Sequence, residues 1–91
     1  MALWGRHRVD NNAGALRAYL EAHGAQVDVI KRPLDLLVHK CGCTAIAEVK
    51  PVKGKLGPGQ VIYLRDCRGC AAVLRTEADC DALLARLCAR R

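Results

Sequence analysis

Apolar positions near the start of the chain recur at the spacing of a helix. Asparagine and aspartate side chains at residues 10–12 are suited to cap a helix N-terminus, and Gly24 is suited to end the helix. The positions at helical spacing are Leu16, Tyr19, Leu20 and His23. This pattern predicts a helix over residues 11–23.

The next three segments have the patterns of β-strands. Residues 26–31 (QVDVIK) and 44–50 (TAIAEVK) alternate apolar and polar positions, and residues 34–40 (LDLLVHK) form a short apolar run between them. Gly42, in the sequence CGC, separates the second segment from the third and predicts a turn. We therefore expect three consecutive antiparallel strands.

The second half of the chain predicts a loop, a helix and a fourth strand. Residues 51–59 (PVKGKLGPG) contain three glycines, two prolines and two lysines, a composition typical of a flexible basic loop. Pro58 can begin a short helix that ends at about Asp66. Residues 71–75 (AAVLR) then predict a strand.

A final helix completes the predicted order αβββαβα. Thr76, followed three residues later by Asp79, resembles a capping box. The apolar stripe that follows consists of Cys80, Leu83, Leu84, Leu87 and Cys88. A chain of 91 residues buries only roughly 60% of its unfolded surface, so we expect a single domain over residues 1–91. The expected class is α/β, with a small mixed four-stranded sheet.

The composition is basic and poor in aromatic residues. Fifteen lysines and arginines against nine acidic residues give a net charge of +6, which favours a polyanionic partner such as nucleic acid over an inert basic surface. The few aromatic residues do not indicate base stacking, so the phosphate backbone is the expected contact. The opening residues contain no apolar signal-peptide core, and no apolar run reaches about 18 residues. We expect a cytoplasmic protein with no membrane partner.

Three charged residues, Asp35, Glu48 and Lys50, interrupt the otherwise apolar hairpin. Glu48 and Lys50 share a strand face, and antiparallel pairing about Gly42 brings Asp35 close to them. Two neighbouring carboxylates raise each other's pKa unless a cation such as Mg²⁺ lies between them. Such a metal can activate water against a phosphodiester, and Lys50 can orient that water or hold the phosphate. An ion pair on a solvated sheet edge is the alternative interpretation.

This arrangement resembles the PD-(D/E)xK nuclease superfamily, because Asp35 is followed, after twelve residues, by Glu48-Val49-Lys50. The resemblance covers almost the whole chain and is greatest to the VRR-NUC and phage Holliday-junction resolvase branch, with its restriction-endonuclease-like core. It implies that Asp35 and Glu48 bind Mg²⁺ or Mn²⁺ and that the Val49 carbonyl is a further ligand. It also implies that Lys50 is the catalytic lysine and that Gln60, in LGPGQVIYL, belongs to the active site.

The resemblance implies a bacterial or phage-encoded DNA endonuclease of recombination, a hydrolase that resolves Holliday (four-way) junctions. Symmetric cutting of a junction requires two active sites, so a homodimer follows if resolution is the activity. Related nucleases often carry a glutamate on the first helix, whereas Ala13 and Ala15 occupy that region here unless Asp10 or Asn12 substitutes. The alternative function is a catalytically inactive DNA-binding or assembly module with the same fold.

Basic residues around the proposed site are candidates for contact with DNA phosphates, with ordinary solvated charge as the alternative. They are Lys31, Arg32, Lys53 and Lys55 beside the site, and Arg6 and Arg8 on a second basic arm.

Six cysteines in a reducing compartment indicate metal ligands or buried thiols more than disulfides. Cys80 and Cys88, on the apolar stripe, are expected to be core thiols. The other four form a CxC pair at the hairpin tip and a CxxC pair before the fourth strand: Cys41, Cys43, Cys67 and Cys70. A right-handed crossover brings both pairs to one end of the sheet, where four thiolates can hold a structural zinc ion. Free thiols and disulfides are the alternatives.

Overall fold

A computed structural model describes the backbone of residues 7–89 and the side chains of residues 13–89. The elements, in chain order, are α1 (His7–Ala22), β1 (Gln26–Val29), β2 (Leu36–Lys40), β3 (Cys43–Val49), α2 (Pro58–Asp66), β4 (Cys70–Leu74) and α3 (Glu77–Ala89). The strands form one sheet in the order β1-β2-β3-β4, with β1, β2 and β3 antiparallel and β4 parallel to β3. The predicted α/β class with a small mixed sheet is confirmed.

Helix α1 begins at His7, earlier than the predicted residue 11. The aspartate and asparagines at residues 10–12 therefore lie inside the helix instead of capping it. Their preference for caps is real, but placing each of them inside a helix costs less than about 1 kcal/mol relative to alanine. A cap-forming side chain consequently does not fix where a helix starts.

A tight turn between β1 and β2 shortens both strands relative to the prediction. The backbone N–H groups of Ile30 and Lys31 donate to the carbonyl of Asp35, at 2.8 and 3.3 Å. Lys31 has a positive φ of 75°, and the Arg32–Pro33 peptide bond is cis. The alternation of apolar and polar residues continues into this segment. Its backbone groups form hydrogen bonds within the turn, however, so they do not extend the pairing of β1 with β2.

The core lies between the sheet and helices α1 and α3, which contact each other and cover one face of the sheet. Alternate strand residues point into it, such as Leu36 and Val38 of β2 and Ala45 and Ala47 of β3. Helix α2 lacks buried residues altogether. Helix α2 therefore contributes no residue to this core.

The predicted capping box at the start of α3 is present. The Thr76 hydroxyl accepts a hydrogen bond from the Asp79 N–H (3.3 Å), and the Asp79 carboxylate accepts one from the Thr76 N–H (3.2 Å). The same carboxylate also accepts from the Arg75 N–H, at 2.8 Å. These bonds fix the end of β4 against the first turn of α3.

A disulfide joins Cys41, at the hairpin tip, to Cys88, near the end of α3. Cys88 is therefore not the core thiol that its helical spacing predicts, whereas Cys80 is buried as expected. Within residues 13–89, no three His, Cys, Asp or Glu side chains are grouped to hold a metal ion. Zinc shared by Cys41 and the predicted partners Cys43, Cys67 and Cys70 stays a prediction, and it requires this disulfide to be open.

Because the disulfide closes a loop of 47 residues, we expect its loss to lower the free energy of unfolding by about 2–4 kcal/mol. Cys88→Ser and added reductant should have equal effects on denaturant unfolding, and reductant should not destabilise the variant further. The matched control is Cys67→Ser, which removes a free thiol. A Cys67→Ser variant that loses stability together with bound zinc would instead favour the four-cysteine site.

Candidate functional site

The structure brings Asp35 and Glu48 together on neighbouring strands. Leu36 pairs with Ala47, and the Asp35 N–H donates to the Ala47 carbonyl at 3.1 Å, so Asp35 and Glu48 are the next residues opposite each other. The Asp35 Oδ2 atom accepts a hydrogen bond from the Val49 N–H at 2.9 Å. The two carboxylates predicted from sequence spacing thus occupy one end of the sheet.

Glu48 is the buried charged residue of this site, with only 3% of its surface exposed. Its Oε2 atom accepts a hydrogen bond from the Gln60 side-chain amide at 2.5 Å and lies 3.6 Å from the Lys50 ammonium nitrogen. Its Oε1 atom is buried and has no hydrogen-bond partner among the described residues. An unsatisfied buried oxygen is costly, since its lost hydration is not replaced.

Electrostatics oppose ionisation of Glu48 in the metal-free protein. Burial raises the pKa of Glu48 above its ordinary value of 4.5, and the negative charge of Asp35 raises it further. The Lys50 ammonium acts in the opposite direction without cancelling the two other effects. A divalent cation beside Oε1 would supply both the missing partner and the missing positive charge.

Gln60 is oriented by the start of helix α2. Pro58 occupies the first turn of that helix, and the Gly57 N–H donates to the Gln60 side-chain oxygen at 2.8 Å. With its oxygen committed to this bond, the amide directs its NH₂ group at Glu48. Gln60, the glutamine predicted from sequence, therefore donates a hydrogen bond to the buried Glu48 carboxylate.

Arg75 anchors the basic loop, a role that the sequence analysis did not assign to it. Its guanidinium donates to the backbone carbonyls of Pro51 (2.8 Å) and Gly54 (2.6 Å). The loop carries Lys53 and Lys55, which are both exposed. No local pattern marks Arg75 as a loop anchor, because its partners lie more than twenty residues earlier.

A cavity of about 300 Å³ lies between Asp35 and helix α1. Asp35 and Val49 line it from the sheet, and Lys31 and Arg17 add two basic side chains. Helix α1 also contributes Ala13 and Gly14 to the lining of the cavity. The described part of α1 therefore presents an arginine to this cavity, and the side chains of Asp10 and Asn12 lie outside the described residues. Arg17 lies one helical turn after Ala13, a spacing that could have identified it.

The remaining predicted DNA contacts are distributed around this end of the sheet. Arg32 lines a second, shallower cavity of about 610 Å³ together with Gln60 and Tyr63, and it is exposed. Arg6 lies outside the described residues, as does the side chain of Arg8. Basic side chains thus line one cavity together with Asp35 and another together with Gln60.

Comparisons with protein-family models, with curated proteins and with solved structures gave no match. Within the described residues 7–89, none of the helices combines the length and apolar character needed to cross a membrane. The support for a function therefore comes from the geometry of the site.

We expect the metal-free protein to lose stability as the pH rises. Because the folded-state pKa of Glu48 lies above the ordinary 4.5, the folded state holds this proton more tightly than the unfolded state. Its stabilising contribution is complete below pH 4.5 and is lost as the pH rises through the folded-state pKa. Glu48→Gln should remove this dependence in denaturant unfolding measured with a chelator present.

The matched control is Glu21→Gln, which neutralises an exposed carboxylate on α1 and should retain the wild-type pH dependence. A Glu48→Gln variant whose stability follows the wild-type pH profile would show that Glu48 is not the group responsible.

Proposed function

We propose that this protein is a Mg²⁺- or Mn²⁺-dependent endonuclease that hydrolyses phosphodiester bonds in branched DNA. The observation that carries the proposal is the buried Oε1 atom of Glu48, which has no hydrogen-bond partner among the described side chains and backbone groups. Glu48 follows Ala47, and Asp35 precedes the Leu36 that pairs with Ala47. Asp35, Glu48 and the carbonyl of Val49 would hold the cation. Carboxylate and carbonyl oxygens are the donors that Mg²⁺ prefers.

A cation bound there would supply Lewis acidity and lower the pKa of a bound water. The chain's own residues provide the framework. Gln60 fixes one oxygen of Glu48 at 2.5 Å, which leaves the other oxygen for the metal. The Val49 N–H holds one oxygen of Asp35, so neither carboxylate needs to reorganise on binding.

Lys50 has a positioning role toward the phosphate or the attacking water. Its backbone N–H donates to the Leu74 carbonyl at 3.0 Å, which fixes the end of β3. Its ammonium nitrogen lies 3.6 Å from Glu48 and is largely shielded from solvent, with 21% of the side chain exposed. A shielded ammonium interacts more strongly with a phosphate than one in water.

The proposed substrate is DNA held through its backbone. Arg17 and Lys31 line the cavity that Asp35 also lines. Arg32 lines a cavity together with Gln60, and Lys53 and Lys55 lie on the loop that Arg75 anchors. With a net charge of +6, these residues favour phosphate contacts over base recognition. A four-way junction cut by a homodimer, in the cytoplasm of a bacterium or phage-infected cell, is the specific form of the proposal.

One observation favours the second candidate, a DNA-binding or assembly module without catalysis. In the described part of α1, Arg17 lines the cavity where a glutamate would complete a second metal site. An arginine there strengthens phosphate binding and supplies no metal ligand. The retained set of Asp35, Glu48, Lys50 and Gln60 favours catalysis with one metal.

We expect Asp35→Asn and Lys50→Ala each to reduce cleavage of a four-way junction by at least about 100-fold. Asp35→Asn removes a metal ligand, and Lys50→Ala removes the positioning charge. Both variants should still shift the junction in a gel, because most of the basic surface is unchanged. Asp28→Asn, an equivalent change at an exposed carboxylate of β1, is the control and should cut normally.

Linear, nicked and flapped DNA, tested in parallel with Mg²⁺ and Mn²⁺, identify the substrate. Wild-type protein that binds the junction but cuts none of these substrates would overturn the nuclease proposal in favour of the binding module. Equal cutting by all variants would show that the residues are wrongly assigned.

Metal binding can be measured without activity. We expect Mg²⁺ to raise the melting temperature of the wild type, since a ligand that binds only the folded state stabilises it. The effect should increase with pH, because binding requires ionised Glu48. Asp35→Asn and Glu48→Gln should remove it, and Asp28→Asn should not. The measurement is differential scanning calorimetry with Mg²⁺ and with chelator.

A further inference from the structure

The two edges of the sheet, β1 and β4, differ in how they are protected. Exposed edge strands pair with other chains unless they are short or carry charges, prolines or bulges. Strand β1 has four residues and exposes Gln26 and Asp28. Strand β4, with the sequence CAAVL, has neither a charged residue nor a proline, and four of its five residues are half-exposed. Strand β4 therefore lacks the charges and prolines that protect many edge strands.

The backbone groups of β4 alternate between β3 and the outside. The Leu74 carbonyl accepts a hydrogen bond from the Lys50 N–H. The backbone N–H and C=O groups of Leu74 therefore point toward β3. Residues one position away in a strand point the opposite way, which directs the N–H and C=O groups of Ala71 and Val73 outward. In agreement, the Ala71 carbonyl accepts a hydrogen bond from the Arg86 side chain of α3, at 3.3 Å.

Opposite charges flank this edge. A cavity of about 340 Å³ lies between residues 71–73 of β4 and the Asp79, Ala82 and Arg86 side chains of α3. Arg86 is at the Ala71 end, as its hydrogen bond shows. Asp79 is at the other end, where it accepts from the Arg75 N–H. The edge therefore has a basic end and an acidic end.

We propose that β4 pairs antiparallel with β4 of a second copy of this chain, about a twofold axis at Ala72. Antiparallel pairing places Ala71 opposite Val73 of the second copy, so that outward N–H and C=O groups on both strands are matched. The same rotation brings Arg86 of each chain toward Asp79 of the other. The edge is complementary to itself in hydrogen bonding and in charge, as a twofold interface requires.

This pairing joins the two sheets into one. Each chain contributes one Asp35–Glu48 pair, so the dimer carries two sites related by the twofold axis. The inference specifies how the homodimer of the proposed function would form, but its evidence is the β4 edge and α3 and not metal or DNA binding.

The test compares Ala82→Glu with Ala85→Glu by sedimentation equilibrium. Both alanines are exposed on α3. Of the two, only Ala82 lines the cavity between β4 and α3. The wild type and Ala85→Glu should sediment at twice the chain mass of 9.9 kDa. Ala82→Glu should sediment as a monomer, with its helical content by circular dichroism unchanged. A wild type that stays monomeric at high micromolar concentration would overturn the proposal.

Hydrogen exchange provides a second measurement that does not require a variant. The amides of Ala71 and Val73 should exchange at least about tenfold more slowly in the dimer than in the diluted monomer. The Lys50 amide, bonded within the chain to Leu74, should change much less. A dimer in which Ala71 and Val73 exchange freely, or one that persists in Ala82→Glu, would show that the copies meet elsewhere and that the proposal is wrong.

Discussion

The buried carboxylate of Glu48 is the constraint on which the polar half of this structure depends. A charged group in a small α/β core loses its hydration and must recover that energy from partners. Gln60 and Lys50 satisfy one oxygen, and the other has no hydrogen-bond partner within the part of the chain that the structure describes. The contacts with Gln60 and Lys50 therefore hold this carboxylate in place through one of its two oxygens.

Other parts of the chain serve this arrangement indirectly. Helix α2 has no buried residues, yet its first turn carries Gln60. The loop before it is fixed by the Arg75 guanidinium, which binds carbonyls of the loop. An element with so little apolar contact is positioned mainly by its polar bonds and its connections. The contacts of Gln60 and Arg75 therefore connect the position of α2 to the geometry of the site.

The two ends of the hairpin have different roles. At one end Asp35 terminates the turn after β1 through its carbonyl and orients its carboxylate through the Val49 N–H. At the other end Cys41 links the hairpin tip to α3. The carboxylate end depends on charge and hydrogen bonds, and the distant end on a covalent bond. In a domain with so small a core, we expect a cross-link of this kind to add to the stability of the sheet.

The sequence by itself determined the element order, the turn at Gly42, the start of α2 at Pro58 and the capping box at Thr76, because these follow from periodicity and local hydrogen bonding. It also placed Asp35, Glu48 and Lys50 at one end of the hairpin, since strand register fixes those positions. The bend at residues 30–35 escaped prediction because its bonds run through backbone groups.

Only the tertiary structure decided which distant groups meet. The Cys41–Cys88 bond spans 47 residues, and it depends on how α3 packs against the sheet, which no local pattern encodes. The same is true of Arg17, which lines a cavity with Asp35, and of the Arg75 contacts with the loop. It is also true of the Glu48 oxygen that has no partner among the residues described. Each of these features depends on burial and on contacts between separate helices, strands and loops. Such contacts form only when the helices pack on the sheet.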